Sequence, residues 1–205
     1  YDLAKLNAMH SGQFAARFLN DAMLIRETVT RNEALRTVLE RVAADIGWGR
    51  TLPRGRGIGL AAHFTFGGYA AHAIEVSVSP QGAISFERVV CAVDVGRPIN
   101  PLGIAAQMQG GTIDGLSTAM NLEISIEGGR VVQSNFNDYP LASMAQMPRD
   151  IEVHVVDSPA DPAGCGEMGI PTAAPALANA IFAATGVRLR NLPLWEQLAE
   201  ALKKA

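Results

Sequence analysis

The chain is short of net charge, of cysteine and of long apolar runs. Its formal charge is −3 over 205 residues, which argues against the basic stripe that nucleic-acid binding needs and gives no pull toward an anionic membrane. No apolar run reaches the ~18 residues of a membrane span. The longest, around residues 173–184, is too short and contains Asn179. The two cysteines, Cys91 and Cys165, lie too far apart for a disulfide framework or a zinc pattern. Four histidines, His10, His63, His72 and His154, show no i, i+4 ligand spacing, so a protein zinc site is not expected. Neither a secretory nor a twin-arginine signal is visible. The chain opens at Tyr1 without Met, so the compartment stays open between bacterial cytoplasm and periplasm.

Hydrophobic residues make up 48% of the chain, enough for a sizeable core. The first fifty residues read as helical. Leu35, Val38, Leu39, Val42 and Ile46 recur at helical spacing behind Asn32 as N-cap, and Gly47-Trp48-Gly49 ends the run. Residues 51–57 are rich in turn formers and read as a linker. Strands are expected over 58–66, 69–78 and 83–95, with turns at Gly67-Gly68 and Pro80-Gln81-Gly82. Asn100-Pro101 marks a helix start, with the helix running to about Met120. A hairpin is expected over 122–134 around Gly128-Gly129, and a strand over 151–156. A loop follows over 159–171, then a helix over 173–185 closed by Gly186, a short strand over 187–192 and a last helix over 193–205. Helices and strands mix without regular βαβ alternation, which predicts an α+β fold.

The loop Gly164-Cys165-Gly166-Glu167-Met168-Gly169 places one carboxylate among three glycines. Glycine allows positive φ and close approach of backbone to a ligand. The bland reading is a tight turn with a solvated Glu. A second segment, residues 105–115, carries Gln107, Gln109, Gly110 and Gly111 inside the expected helix. Each helical glycine costs about 1 kcal/mol relative to Ala, so the pair predicts tight packing against this helix. Gln107 and Gln109 could donate to a polar ligand; otherwise they are surface glutamines. Gly55-Arg56-Gly57-Ile58-Gly59 lacks the G-x-G-x-x-G spacing and leads into a strand, so it is not read as a nucleotide loop. Cys165 is read as a small apolar filler or a reactive thiol. Asp94 and Asp138 are read as structural, and Met144, Met147 and Met168 as packing residues.

Several ordered segments carry a resemblance. They are Gly57-Ile-Gly-Leu-Ala-Ala-His63 with Ala73-Ile-Glu-Val-Ser77; Val90-Cys-Ala-Val-Asp-Val-Gly96 with Ile99-Asn-Pro101; Gln107-Met-Gln-Gly110 with Gly115-Leu116; Ser134-Asn-Phe-Asn-Asp-Tyr139; and Gly164-Cys-Gly-Glu167 with Pro175-Ala-Leu-Ala-Asn-Ala-Ile-Phe-Ala-Ala-Thr-Gly186. Together they resemble the large, molybdopterin-binding subunit of the xanthine dehydrogenase and aldehyde oxidase family. The nearest branch is that of the isoquinoline 1-oxidoreductases. The likeness runs from Arg54 to Pro193, and residues 1–30 match poorly. Family members read Gly-Glu-Pro where Met168 follows the Glu here, a departure that bears on the loop's stiffness more than on the chemistry.

The resemblance implies a helical lead-in over 1–50 and the C-terminal part of a molybdenum cofactor-binding domain over 51–205. It implies oxidation of aldehydes or N-heterocyclic aromatics with oxygen from water, and Glu167 as general base. Gln107, Gly110, Gly164, Cys165 and Gly166 would hold the molybdenum–pterin cofactor, with no protein ligand to the metal. Iron–sulfur clusters would sit on a small [2Fe-2S] partner subunit, since two cysteines cannot bind one. The family's large subunits are several times longer, so a missing N-terminal part is implied, and the chain alone is expected to hold no molybdenum and to turn over nothing. Two other readings stand beside this one. The first is a structural or subunit-docking remnant without cofactor. The second is a hydrolase pairing Glu167 with His154, which no nucleophile motif supports.

Overall fold

A computed structural model describes residues 33–203. The helical reading of residues 1–32, Asn32 as a cap and the last two residues of the final helix lie outside them. The fold is α+β, in three layers. Helix α1 (Glu33–Ile46) covers one face of a four-stranded sheet. Helices α2 (Pro101–Asn121), α3 (Ile170–Thr185) and α4 (Leu194–Lys203) lie on the other. Strands β1 (Arg56–Thr65), β2 (Gly68–Val78) and β3 (Ile84–Asp94) form an antiparallel meander. Strand β6 (Glu152–Val155) joins β3 in parallel, giving the order β1-β2-β3-β6. A two-residue hairpin, β4 (Ile126–Glu127) and β5 (Arg130–Val131), stands apart.

Strand alternation assigns each face its core. Ile58, Leu60 and Ala62 of β1 pack with Leu35, Val38, Leu39, Val42 and Ile46 of α1. The opposite face of β1 presents Gly57, Gly59 and Ala61 to α3. A Cβ on Gly57 would stand 2.3 Å from Ala180 O, and one on Gly59 2.1 Å from Ala176 O. The Gly55-to-Gly59 stretch thus serves the seating of a helix on a strand. Asn179 of α3 then donates to Leu60 O at 3.0 Å, and Arg188 donates to Asn179 Oδ1 at 2.7 Å.

Most expected elements are present. Asn100 caps α2 by accepting from Gly103 N at 3.0 Å, with Pro101 in the first turn. Gly186 closes α3 in the left-handed conformation. Four expectations need correction. Helix α3 begins at Ile170, not 173, because Pro171 sits in its first turn, where a missing N–H costs nothing. Residues 187–192 form no strand. Val187 N bonds to Thr185 Oγ1 and Leu189 turns into the core, so side chains take the place of a ladder. The hairpin over 122–134 shrinks to the pairs Ile126–Val131 and Glu127–Arg130, whose exposed residues have no face to bury. Met144 is 95% exposed, whereas Met147 and Met168 are buried as expected.

Candidate active site

Helix α2 crosses the start of α3 with backbone almost touching backbone. A Cβ on Gly111 would stand 3.2 Å from Gly169 Cα, and one on Gly115 2.9 Å from Ala173 Cβ. Gly111 therefore answers the expected tight packing. Gly110 faces open space. The crossing carries the glycine loop with it. Gly169, the N-cap residue of α3, has no room for a side chain against Met108 O and Thr112 N. Met168 buries its side chain in the main core. That burial anchors the loop at its C-terminal end.

The loop glycines do not use positive φ. Gly164, Gly166 and Gly169 are absent from the left-handed region, so of the two roles open to glycine here the positive φ is not the one used. Gly169 is required by close approach, while Gly164 faces open space and a Cβ on Gly166 would meet only Gln107 Nε2 at 3.9 Å. Gln107 on α2 donates from Nε2 to Gly166 O at 3.4 Å, a long hydrogen bond that joins helix and loop. Glu167 follows immediately. Its carboxylate is exposed and has no hydrogen-bond or ion-pair partner among the described residues. Cys165 is half-buried against the core. The structure thus brings Gln107, Gly166 and Glu167 together at the mouth of the α2–α3 crossing. Gln109 goes elsewhere, donating to Ile151 O at 3.2 Å.

The Gln107 amide and the exposed residues Gly164 and Gly166 form a neutral polar patch beside Glu167. The amide and backbone groups of such a patch are of the neutral hydrogen-bonding kind that a polar heterocycle uses. Cys91 is unsuited to chemistry, since burial and the Glu152 charge push its thiol up to about 12. His154 is unavailable to Glu167. Its Nδ1 faces Arg41 Nη2 at 2.9 Å, and its Nε2 lies 2.6 Å from Asp45 and 3.0 Å from Glu152.

Two groupings were invisible in the sequence. Asp45, Glu152 and His154 gather ligand-type atoms within 4.8 Å of one another. Arg41 and Arg88 also pair with these carboxylates, which makes the group an ionic clasp between α1 and the sheet. The second is His72, buried in β2 and bonded to Thr112 on α2 and Thr172 on α3. A histidine among Ala70, Ala71 and Ala73 was its one signal.

A family model described as the molybdopterin cofactor-binding domain matches residues 9–148. That span includes Gln107 and Gly110 and ends before the 164–169 loop. The chain is 37% identical over 173 residues to isoquinoline 1-oxidoreductase subunit beta of Brevundimonas diminuta, covering 84% of this chain and 21% of that protein. It is 32% identical over 165 residues to the membrane-bound aldehyde dehydrogenase [pyrroloquinoline-quinone] of Gluconacetobacter polyoxogenes, covering 77% and 21%. Among solved structures, the aldehyde oxidoreductase from Desulfovibrio desulfuricans ATCC 27774 superposes with a TM-score of 0.57 at 29% identity, over 65% of this chain and 15% of that one. The chain therefore spans about a fifth of the length of these two curated relatives.

Proposed function

The chain belongs to the molybdopterin cofactor-binding domain family, and from that premise we propose that it is one part of a molybdenum-dependent hydroxylase in which Glu167 is the general base. The observation that carries this reading is the junction of α2 with the glycine loop, where Gln107 meets Gly166 beside an exposed carboxylate. The names of the relatives, one an isoquinoline oxidoreductase and one an aldehyde dehydrogenase, support N-heterocycles or aldehydes as the substrate class.

In the overall reaction a substrate C–H bond and water become C–OH, two protons and two electrons. The molybdenum–pterin cofactor, when bound, supplies the two-electron acceptor. Gln107, Gly110, Gly164, Cys165 and Gly166 would hold it through amide and backbone hydrogen bonds. Glu167 takes the proton from the oxygen of water as that oxygen becomes a nucleophile. Solvent access at the loop lets the proton leave again after each turnover. Iron–sulfur clusters on a small [2Fe-2S] partner subunit would take the electrons onward, since the two cysteines of this chain are too few to hold a cluster here. The remaining cofactor contacts belong to the N-terminal part of the longer polypeptide.

The test is Glu167→Gln in the complete enzyme. Gln keeps the size of Glu but cannot take the proton, and loss of a general base costs about 10²–10⁴-fold. Anaerobic rapid mixing with substrate should show that loss in the rate of reduction, with molybdenum content unchanged. Gln107→Ala should instead lower cofactor content. Reduction of Glu167→Gln at the wild-type rate would refute the base. A complete, matured protein holding neither molybdenum nor pterin would favour a docking module. A quinone found in their place would favour the cofactor in the second relative's name.

A further inference from the structure

His72 is fully buried on the face of β2 that also sends Ala70, Ile74 and Val76 into the main core. Its two ring nitrogens reach two different helices. Nε2 lies 2.8 Å from Thr112 Oγ1 on α2, and Nδ1 lies 2.6 Å from Thr172 Oγ1 on α3. The direction of each bond follows from a third. Thr112 Oγ1 is 2.6 Å from Met108 O, and a carbonyl can only accept, so the Thr112 proton is committed there. Thr112 can then only accept from His72, which fixes the ring proton on Nε2. The lone pair left on Nδ1 takes the Thr172 proton. With the ring kept neutral by burial, both nitrogens are satisfied. That burial pushes the imidazole down to about 3.

Both ends of this chain lead to the candidate site. Thr112 adjoins Gly111, where α2 touches Gly169, and Met108 adjoins Gln107. Thr172 lies in the first turn of α3, the helix entered from the glycine loop. An apolar side chain would fill the same volume without desolvating three polar groups. A satisfied polar network gives a unique register in return, because any slip leaves a donor or acceptor buried and unpaired.

We propose that His72 is a positioning residue: the one-way chain Thr172 → His72 → Thr112 → Met108 sets α2 against α3 and so fixes the placement of Gln107 relative to Glu167. This rests on the reading of Glu167 as the base.

The experiment uses the complete holoenzyme and the variants Thr172→Val, Thr172→Ser and His72→Gln, each also in the Glu167→Gln background. Misplacement of a reacting group by about 1 Å costs on the order of 10²-fold. Thr172→Val should therefore lose about 10- to 100-fold in kcat, with KM and molybdenum content unchanged. Thr172→Ser keeps the hydroxyl and should restore the rate. His72→Gln can direct its amide N–H toward Thr112, but its amide oxygen lies one bond farther out than Nδ1 and does not stand where Thr172 donates, so the variant should track Thr172→Val. With Glu167 already replaced, neither change should cost anything more. Nitrogen NMR of histidine-labelled protein gives a reading independent of turnover: His72 should show one protonated and one bare ring nitrogen at neutral and mildly acid pH.

A wild-type kcat in Thr172→Val overturns the proposal. So does an equal loss in both backgrounds, a loss of molybdenum content, failure of Thr172→Ser to restore the rate, or a cationic ring. Full activity of Glu167→Gln alone would overturn the base assignment instead, and the purpose of the clasp with it. The two failures register in different variants.

Discussion

Phe66 turns the first hairpin with a backbone that favours smaller residues. The β1–β2 connection is the pair Phe66–Gly67, with φ of 49° and 79°. Two positive φ values suit the right-handed twist of the flanking strands. They also put a bulky residue in the left-handed region, at a cost of roughly 1–2 kcal/mol. The ring is 68% exposed, so little burial offsets that strain. Phe66→Asn should raise stability by about 1 kcal/mol, read as a higher thermal unfolding midpoint. A lower midpoint would show that the ring makes a contact worth more than the strain. The turn itself was legible, because Gly67-Gly68 ends one strand pattern and starts another. The conformation of Phe66 was not, since no local signal separates a strained turn residue from the last residue of a strand. Met144 and Met168 make the same point. Both read as packing residues, yet one lies in solvent and the other anchors the loop, because burial depends on what the chain places opposite.

Elements with a strong period or a clear cap were read correctly from the sequence. Helix α2 is the clearest, as Asn100 and Pro101 state its start. The glycines at 57 and 59 looked like a failed nucleotide loop, since their partner, α3, lies more than a hundred residues away. His72 was equally opaque, because its two threonines come from two other elements. Its clasp has a pH signature. Folded His72 stays neutral down to about 3, whereas the unfolded chain takes up the proton near the ordinary 6.5. Between those values the unfolded state binds more protons, so stability present above 6.5 is lost as pH falls toward 3. The slope reaches about tenfold in the unfolding equilibrium per pH unit. His72→Gln has no such proton to bind, and its unfolding midpoint should fall less steeply with acid across that window. Parallel slopes for both proteins would show that the ring is already charged in the fold.

At the scale of the whole molecule, the α2 crossing and the glycine loop present one edge of a site. Among the described residues they do not enclose one. Two clefts among the described residues lie away from Glu167. One lies along β3 against residues 145–150, and the other beside Trp48, Arg50 and Arg56. Residues 122–144 expose Ile124, Ile126, Phe136 and Met144. This chain, purified alone, should therefore contain no stoichiometric molybdenum, whereas the complete polypeptide should. Elemental analysis of both settles it, and a full complement of metal in the chain alone would show that one edge suffices.

The parallel pairing of β6 with β3 also imposes an order in time. Strands β1 to β3 need only short turns between them, so their pairing closes small loops and proceeds fast. Strand β6 meets β3 only after α2 and the whole excursion from Leu122 to Asp150 have been gathered in. Closing so long a loop is entropically dearer and therefore slower. The glycine loop follows β6 along the chain, and Met168 enters the core beside Gly68 at the start of β2. The carboxylate of Glu167 is thus expected among the last groups to find its place, after the β1–β3 meander has paired.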